Sequence, residues 1–194
     1  MNAVTIRFEP GDALLIVDVQ NDFCPGGALP IEQGDAVVPV LNRWIEAARE
    51  QATPVIATRD WHPVDHCSFE HRGGPWPVHC VQDTPGAKFH PDLNLPADAI
   101  RVSKGTRFDQ DAYSAFENTG LAGELRRRGI QRLWTGGLAQ DVCVLDTVLA
   151  GAAEGFDMRV IREAMRPVTA EGGLEAERKM REAGAELVSE EQPA

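Results

Sequence analysis

The sequence has little positive charge and no long apolar segment. It carries 19 lysine and arginine residues against 30 acidic residues, a net charge of −11, which argues against a protein that binds nucleic acid through a basic surface. No apolar run approaches the roughly 20 residues that a membrane-spanning helix needs. The first segment, MNAVTIRFEPGD, lacks a basic region followed by an apolar stretch. We therefore expect no signal peptide and a cytoplasmic location.

Cysteine is scarce, and no Cys-x-x-Cys pair is present. The four cysteines are Cys24, Cys67, Cys80 and Cys143. An even number suits a disulfide framework in a small secreted protein, but in the cytoplasm we expect four thiols. Thiol-redox chemistry is poorly supported because the paired motif is missing.

The composition is that of a globular protein, with 43% hydrophobic and 25% charged residues. We expect residues 1–194 to form one domain. Short apolar runs predict buried parallel strands at 13–19, 54–58, 99–103, 132–135, 158–161 and 185–188. Helical spacing lies between them at 36–50, 121–128, 142–154 and 174–182. The alternation predicts an α/β fold of three layers, with right-handed crossovers and helices on both faces of the sheet.

Residues 59–98 interrupt this alternation. The segment is rich in His, Pro, Gly and Asp and has little periodicity, and a loop of this length is usually functional or disordered. Trp61, Trp76 and Phe89 offer apolar anchors, which favours an ordered, functional loop.

Three residues with reactive side chains follow predicted strands. Asp18 closes the first strand, Lys104 the third, and Cys143 follows the fourth after a glycine-containing turn. Taken singly, these fit a loop hydrogen-bonder, a surface charge and a small buried side chain. Because the carboxyl ends of parallel strands share one edge of the sheet, together they predict a nucleophile with its activators.

Asp141 marks the predicted start of the helix that carries Cys143. Asp141 is a good N-cap residue, which would put Cys143 in the first turn of a helix. There the helix dipole favours a thiolate, and free N–H groups could stabilise an oxyanion.

A carboxylate and three imidazoles lie between positions 60 and 79. They are Asp60, His62, His66 and His79, a donor set that suits Zn, Fe or Mn better than Mg or Ca. The alternative is that all four are surface polar residues.

Several motifs together resemble one family. They are VDVQNDFCPGG, DWHP followed by HCSF, WPVHC, and SKG with YSAF downstream. From about residue 13 to 188 the chain is similar to the nicotinamidase/pyrazinamidase branch of the isochorismatase-like cysteine hydrolases. The resemblance implies a Rossmann-like, six-stranded parallel sheet in the order 3-2-1-4-5-6.

The resemblance also implies roles for individual residues. The catalytic triad would be Asp18, Lys104 and Cys143. The ligands of one divalent transition metal ion would be Asp60, His62, His66 and His79. The substrate would be bound by Phe23, Trp76, Tyr113 and Leu138. A cis peptide would join Leu138 to Ala139, and the backbone N–H groups of Ala139 and Cys143 would form the oxyanion hole.

The implied reaction is hydrolysis of nicotinamide, and of pyrazinamide, to the carboxylate and ammonia, which is a step of NAD salvage. We also expect a homo-oligomer. Another small-amide or carbamoyl hydrolase of the superfamily is the alternative, and a non-catalytic metal-binding or thiol-redox protein is the alternative from a different class. The chain departs from the family at Gln140 and Val142, beside the nucleophile. Cys67 is a soft potential ligand that would favour Zn, or is simply buried.

Overall fold

The computed structural model describes residues 6–189, and at their centre lies a sheet of six parallel strands. The strands are β1 (Asp12–Val17), β2 (Val55–Asp60), β3 (Ile100–Lys104), β4 (Arg132–Leu138), β5 (Asp157–Arg166) and β6 (Glu186–Val188). Their order is β3-β2-β1-β4-β5-β6, and every neighbouring pair is parallel. The predicted α/β fold and its strand order are confirmed.

Helices cover both faces of this sheet. They are α1 (Val37–Glu50), α2 (Leu121–Arg127), α3 (Leu145–Ala153) and α4 (Ala170–Glu182). Successive side chains of a strand point to opposite faces, so β1 contributes to two cores. Leu14 and Ile16 pack in one core with Leu41 of α1, whereas Leu15 packs in the other with Val148 of α3. The two cores on either side of the sheet make the three layers.

Strand β4 extends past the glycines that the sequence suggested as a turn. Gly137 pairs with Val17 of β1 and has φ +134°, and a Cβ on it would lie 2.0 Å from the Val17 carbonyl oxygen. Only glycine permits this close approach of the two strands. The predicted strand end at residue 135 was therefore too early.

The segment between β2 and β3 has little regular structure but is ordered, as expected. A 3₁₀ turn spans Glu70–Arg72, and Phe69 beside it is fully buried. The backbone of His62 donates to Cys80 O at 2.9 Å and accepts from Gln82 N at 2.9 Å. These bonds hold the two arms of the loop together over the carboxyl edge of the sheet.

The strand order reverses between β1 and β4, whose carboxyl ends lie side by side. In open α/β sheets such a switch point is where ligands bind. None of the helices within residues 6–189 combines the length and the apolar character that crossing a membrane requires.

Candidate active site

The ends of four adjacent strands bring the predicted catalytic residues to one place. Lys104 ends β3 and is the register partner of Asp60, which ends β2. Asp18 follows β1, and Cys143 lies just after β4. Asp18 has φ 49°, in the left-handed region that Asp tolerates better than most residues. The chain therefore turns sharply away from β1 at the residue that carries the carboxylate.

Lys104 is the centre of a buried charged cluster. Its Nζ lies 2.8 Å from Asp18 Oδ2 and 2.5 Å from Asp60 Oδ1. The same ammonium lies 3.5 Å from Cys143 Sγ and donates to Ala112 O at 3.3 Å. Lys104 is 2% exposed and Asp18 0%. The structure thus brings the three predicted triad residues together, with Asp60 as a fourth member.

Burial and charge determine the protonation of this cluster. Burial alone would lower the pKa of Lys104, but Asp18 and Asp60 outweigh it, so this pKa lies well above its usual value. Burial pushes the pKa of Asp60 upward, yet Lys104 and His62 lower it overall. Burial raises the pKa of Asp18, and Lys104 only partly offsets this. Asp18 is therefore a stronger base than an ordinary carboxylate.

Burial favours the thiol form of Cys143, in opposition to the thiolate that a helix start was expected to favour. Burial raises the pKa of Cys143 well above its usual value, although the charge of Lys104 acts in the opposite direction. The carboxylates of Asp18 and Asp60 add to the rise. For Cys143 to act as a nucleophile, a nearby base must therefore remove the thiol proton. Carboxylate oxygens of Asp18 and Asp60 lie within 4.8 Å of Cys143 Sγ.

The turn that carries Cys143 differs from the predicted helix start. Residues Gln140–Val144 form a π-helical turn that precedes α3. Asp141 does not cap this turn. Its carboxylate accepts instead from the backbone N–H of Val168 at 2.8 Å and of Thr169 at 3.3 Å. The N-cap prediction for Asp141 was wrong because the acid finds donors in the loop before α4, which the sequence places far away.

A cis peptide bond joins Leu138 and Ala139, as the resemblance implied. Gln140 is buried, and its side chain donates to Gly173 O at 3.1 Å. Gln140, one of the two residues at which the chain departs from the family, therefore attaches the turn that carries Cys143 to α4.

Three of the four predicted metal ligands converge. Asp60, His62 and His79 place one donor atom each within 4.8 Å of one another, and all three are buried. His62 Nδ1 lies 2.8 Å from Gly105 O, and His79 Nδ1 lies 2.7 Å from Pro77 O. A carbonyl can only accept, so each Nδ1 carries the proton and leaves Nε2 free as a ligand. Two oriented imidazoles and a carboxylate fit a divalent transition metal.

Gly105 makes room for one of these ligands. Its φ is +59°, and a Cβ there would lie 2.5 Å from the His62 ring. The glycine of the SKG motif is therefore needed both for its backbone conformation and for the approach of the imidazole.

The fourth predicted ligand, His66, belongs to a second group of donors. His66, His62 and Asp111 also place donor atoms within 4.8 Å of one another, and the rings of His62 and His66 stack at 4.1 Å. Sequence reasoning missed Asp111, which stands among other acids in an irregular segment. Cys67 belongs to neither donor group among the residues that the structure describes.

One cavity of about 460 Å³, including its open mouth, is lined by Cys143 and by two of the three converging donors, Asp60 and His79. Its lining residues come from loops at the carboxyl edge of the sheet and are Phe23, Leu29, Pro30, Ile31, Asp60, Trp76, His79, Tyr113, Ala139, Val142, Cys143 and Val168. Trp76 donates its indole N–H to the Tyr113 hydroxyl at 3.0 Å, which fixes two aromatic walls. Leu138, in contrast, is fully buried in the core and is not among the lining residues.

Two further side chains hold the cluster in place, and sequence reasoning missed both. Thr58 donates its hydroxyl to Asp18 Oδ1 at 2.7 Å. Gln20 accepts from Asp60 N at 2.8 Å and donates to Asp60 O at 2.8 Å. Gln20 lies inside the VDVQNDF motif, and Thr58 lies two residues before Asp60 on the same strand face. These two locations are the sequence features from which a role for Gln20 and Thr58 could have been predicted.

Comparisons with known proteins agree on one family. The model of the isochorismatase domain matches residues 12–192. The nicotinamidase of Escherichia coli (strain K12) is 41% identical over 82% of this chain and 84% of its own length.

Solved structures are similar over nearly the whole chain. The pyrazinamidase of Pyrococcus horikoshii in complex with zinc has a TM-score of 0.90 and 44% identity, covering 93% of this chain and 99% of that one. PnC1 from L. infantum in complex with nicotinate has a TM-score of 0.87 and 34% identity, covering 93% of each chain.

Proposed function

The chain belongs to the isochorismatase family, and from that premise we propose that it is a metal-dependent amidohydrolase that converts nicotinamide to nicotinate and ammonia. Pyrazinamide is the second substrate. The proposal is supported by relatives named as nicotinamidase and pyrazinamidase, one of whose structures contains zinc, and by the similar PnC1 from L. infantum in complex with nicotinate.

The observation that carries the proposal is the set of residues that line the cavity. Cys143 lines it together with Asp60 and His79, two of the three converging metal ligands. The remaining walls are mainly apolar or aromatic, as in sites for small planar molecules. A flat carboxamide in this space meets both a nucleophile and a cation-binding group.

The first half of the reaction makes a thioester. Asp18 takes the proton from the Cys143 thiol, and Sγ attacks the amide carbon. The backbone N–H groups of Ala139 and Cys143 stabilise the oxyanion. Asp18 then gives its proton to the amide nitrogen, the C–N bond breaks, and ammonia leaves. Lys104 remains charged throughout and holds Asp18 and the sulfur in position.

The second half returns the enzyme to its resting state. Asp18, again ionised, takes a proton from a water molecule that attacks the thioester carbon. The C–S bond breaks, the thiolate of Cys143 recovers the proton from Asp18, and the product leaves as a carboxylic acid that gives its proton to solvent. The raised pKa of Asp18 suits it to both roles, because a carboxylate that is more basic accepts a proton more readily.

Asp60, His62 and His79 would hold a divalent ion, with His66 beside them. When bound, it supplies a Lewis acid for the ring nitrogen of the substrate. The nucleophile does not depend on it, because Cys143 fills that role.

We expect His62→Ala to release the ion and to raise KM for nicotinamide on the order of 10-fold or more, because the ion orients the substrate ring. Metal content by mass spectrometry and steady-state kinetics measure the two effects. His71→Ala, which removes an exposed histidine of the same loop, is the matched control. A metal-free enzyme with unchanged KM and kcat would refute the proposed role of the ion.

The substrate preference follows from the cavity and the ion together. We expect kcat/KM for nicotinamide to exceed that for benzamide on the order of 100-fold or more, because benzamide has no ring nitrogen for the ion. Ammonia release measures both, with pyrazinamide as a second positive substrate and an aliphatic carbamoyl compound as a comparison.

Two outcomes of this assay would count against the proposal. Equal rates for benzamide and nicotinamide would remove the contact between ion and ring. Turnover of the aliphatic carbamoyl compound alone would identify a carbamoyl hydrolase of the same superfamily.

We also propose a cytoplasmic location and a homo-oligomeric state. The location is supported by the four cysteines, all of which are free thiols in the structure. The molar mass in solution, compared with 21.2 kDa for one chain, tests the homo-oligomer.

A further inference from the structure

Asp111 faces the metal ligands from a loop that the mechanism does not otherwise use. Its carboxylate lies within 4.8 Å of the donor atoms of both His62 and His66. Its Oδ1 accepts from the backbone N–H of Ala112 at 2.9 Å, and Ala112 O in turn accepts from Lys104 at 3.3 Å. Asp111 is therefore held by the same stretch of chain that contacts the catalytic lysine.

The metal centre needs more negative charge than Asp60 alone supplies. Asp60 Oδ1 lies 2.5 Å from Lys104 Nζ, so its charge is shared with the ammonium. With Asp18 and Asp60 ionised and Lys104 charged, the cluster has one net negative charge, and a divalent ion leaves one net positive charge. Uncompensated charge is costly in a buried site. One further carboxylate beside the imidazoles brings the whole centre to neutrality.

The position of Asp111 suits this role. Its carboxylate lies within 4.8 Å of the donor atoms of His62 and His66, so a cation held by these rings would lie close to it. The attraction between unlike charges grows as their separation falls.

We propose that Asp111 is the second carboxylate of the metal centre. It lies on the side of His62 and His66 and supplies negative charge there, because the charge of Asp60 is shared with Lys104. This inference rests on the metal centre of the proposed function. It adds a member that neither the motifs nor the converging set of Asp60, His62 and His79 contains.

The test is a zinc titration without substrate. The metal-stripped protein competes with a chromophoric chelator for Zn²⁺, and the dissociation constant is compared among variants. Asp111→Asn keeps the acceptor for Ala112 N and removes only the charge, and we expect it to weaken zinc binding about 10- to 100-fold. Asp111→Glu, which keeps the charge, is expected to recover most of this loss.

Asp109→Asn is the matched control, because it removes the same charge from an exposed position in the same loop. We expect its zinc affinity to equal that of the wild type. Thermal unfolding of the metal-free proteins checks that every variant is folded. Equal affinity in wild type and Asp111→Asn, or equal losses in the Asn and Glu variants, would overturn the inference alone. A wild-type protein that binds no zinc would overturn the metal centre itself.

Discussion

Replacing Cys143 with alanine is expected to reduce kcat for nicotinamide by at least about 10⁴-fold, because no other group can form the thioester. Cys143 is the one cysteine that lines the cavity, and its sulfur lies 3.5 Å from Lys104 Nζ. The substitution removes one buried sulfur atom, so the fold and the metal content should remain. Ammonia release, metal analysis and thermal unfolding measure the three properties.

The other thiols provide the controls for this experiment. Cys67 is half-buried in the predicted metal-binding loop (residues 59–98, hereafter the metal loop), outside the cavity lining, and Cys67→Ala should keep its activity. Burial raises the pKa of Cys24 to about 11, so this thiol should stay unreactive at neutral pH. An electrophilic analogue of nicotinamide should label Cys143 first. Preferential labelling of Cys67 or Cys80, or residual turnover above the expected loss, would show that the nucleophile has been assigned wrongly.

Lys104→Met is expected to lower both activity and stability. The ammonium compensates two buried carboxylates, at 2.8 Å from Asp18 Oδ2 and 2.5 Å from Asp60 Oδ1. Removing one partner of a buried ion pair costs about 3–5 kcal/mol of unfolding free energy, a large part of the roughly 5–15 kcal/mol of an ordinary domain. We expect kcat/KM to fall about 10³-fold as well, because Asp18 and the thiol lose the charge that positions them.

Urea unfolding and ammonia release measure these losses, and Lys88→Met is the control. Lys88 is an exposed lysine of the metal loop, so its replacement should change the free energy of unfolding by less than about 0.5 kcal/mol. If Lys104→Met behaved like Lys88→Met in both assays, Lys104 would have neither the structural nor the catalytic role described above.

The fold was readable from the sequence because its elements have strong local signals. Strands β1, β2 and β4 contain short apolar runs, since strands covered on both faces contact little water. The helices between them show amphipathic spacing and end at glycines such as Gly129 and Gly184. The strand order was not available from these patterns, because nothing local states which strands are neighbours. It came from the resemblance of motifs, and the structure confirmed it.

The reactive residues were identifiable for a related reason. Asp18, Lys104 and Cys143 are polar or reactive groups at the ends of buried strands, where the fold alone does not need them. Parallel strands bring their carboxyl ends to one edge, so position in the chain predicts position in space. The histidines of the metal loop stood out because that residue type is scarce.

The tertiary structure decided the contacts between segments that lie far apart in the chain. Asp60 was expected only as a metal ligand, but the register of β2 and β3 places it against Lys104. Asp141 was expected to cap its own helix, yet it accepts from the N–H groups of Val168 and Thr169. Whether Cys143 rests as thiol or thiolate depends on burial, which no local pattern reports.

The sequence by itself therefore determined which elements form and which residues bring chemistry to the edge of the sheet. Only the tertiary structure decided which of those groups lie close enough to share a proton or a charge. Local propensity and periodicity act over a few residues. The pKa of Asp18 and the set of side chains that lie near Asp111, in contrast, depend on groups up to tens of positions away in the chain. Their interaction energies fall with distance in space and not with distance along the chain.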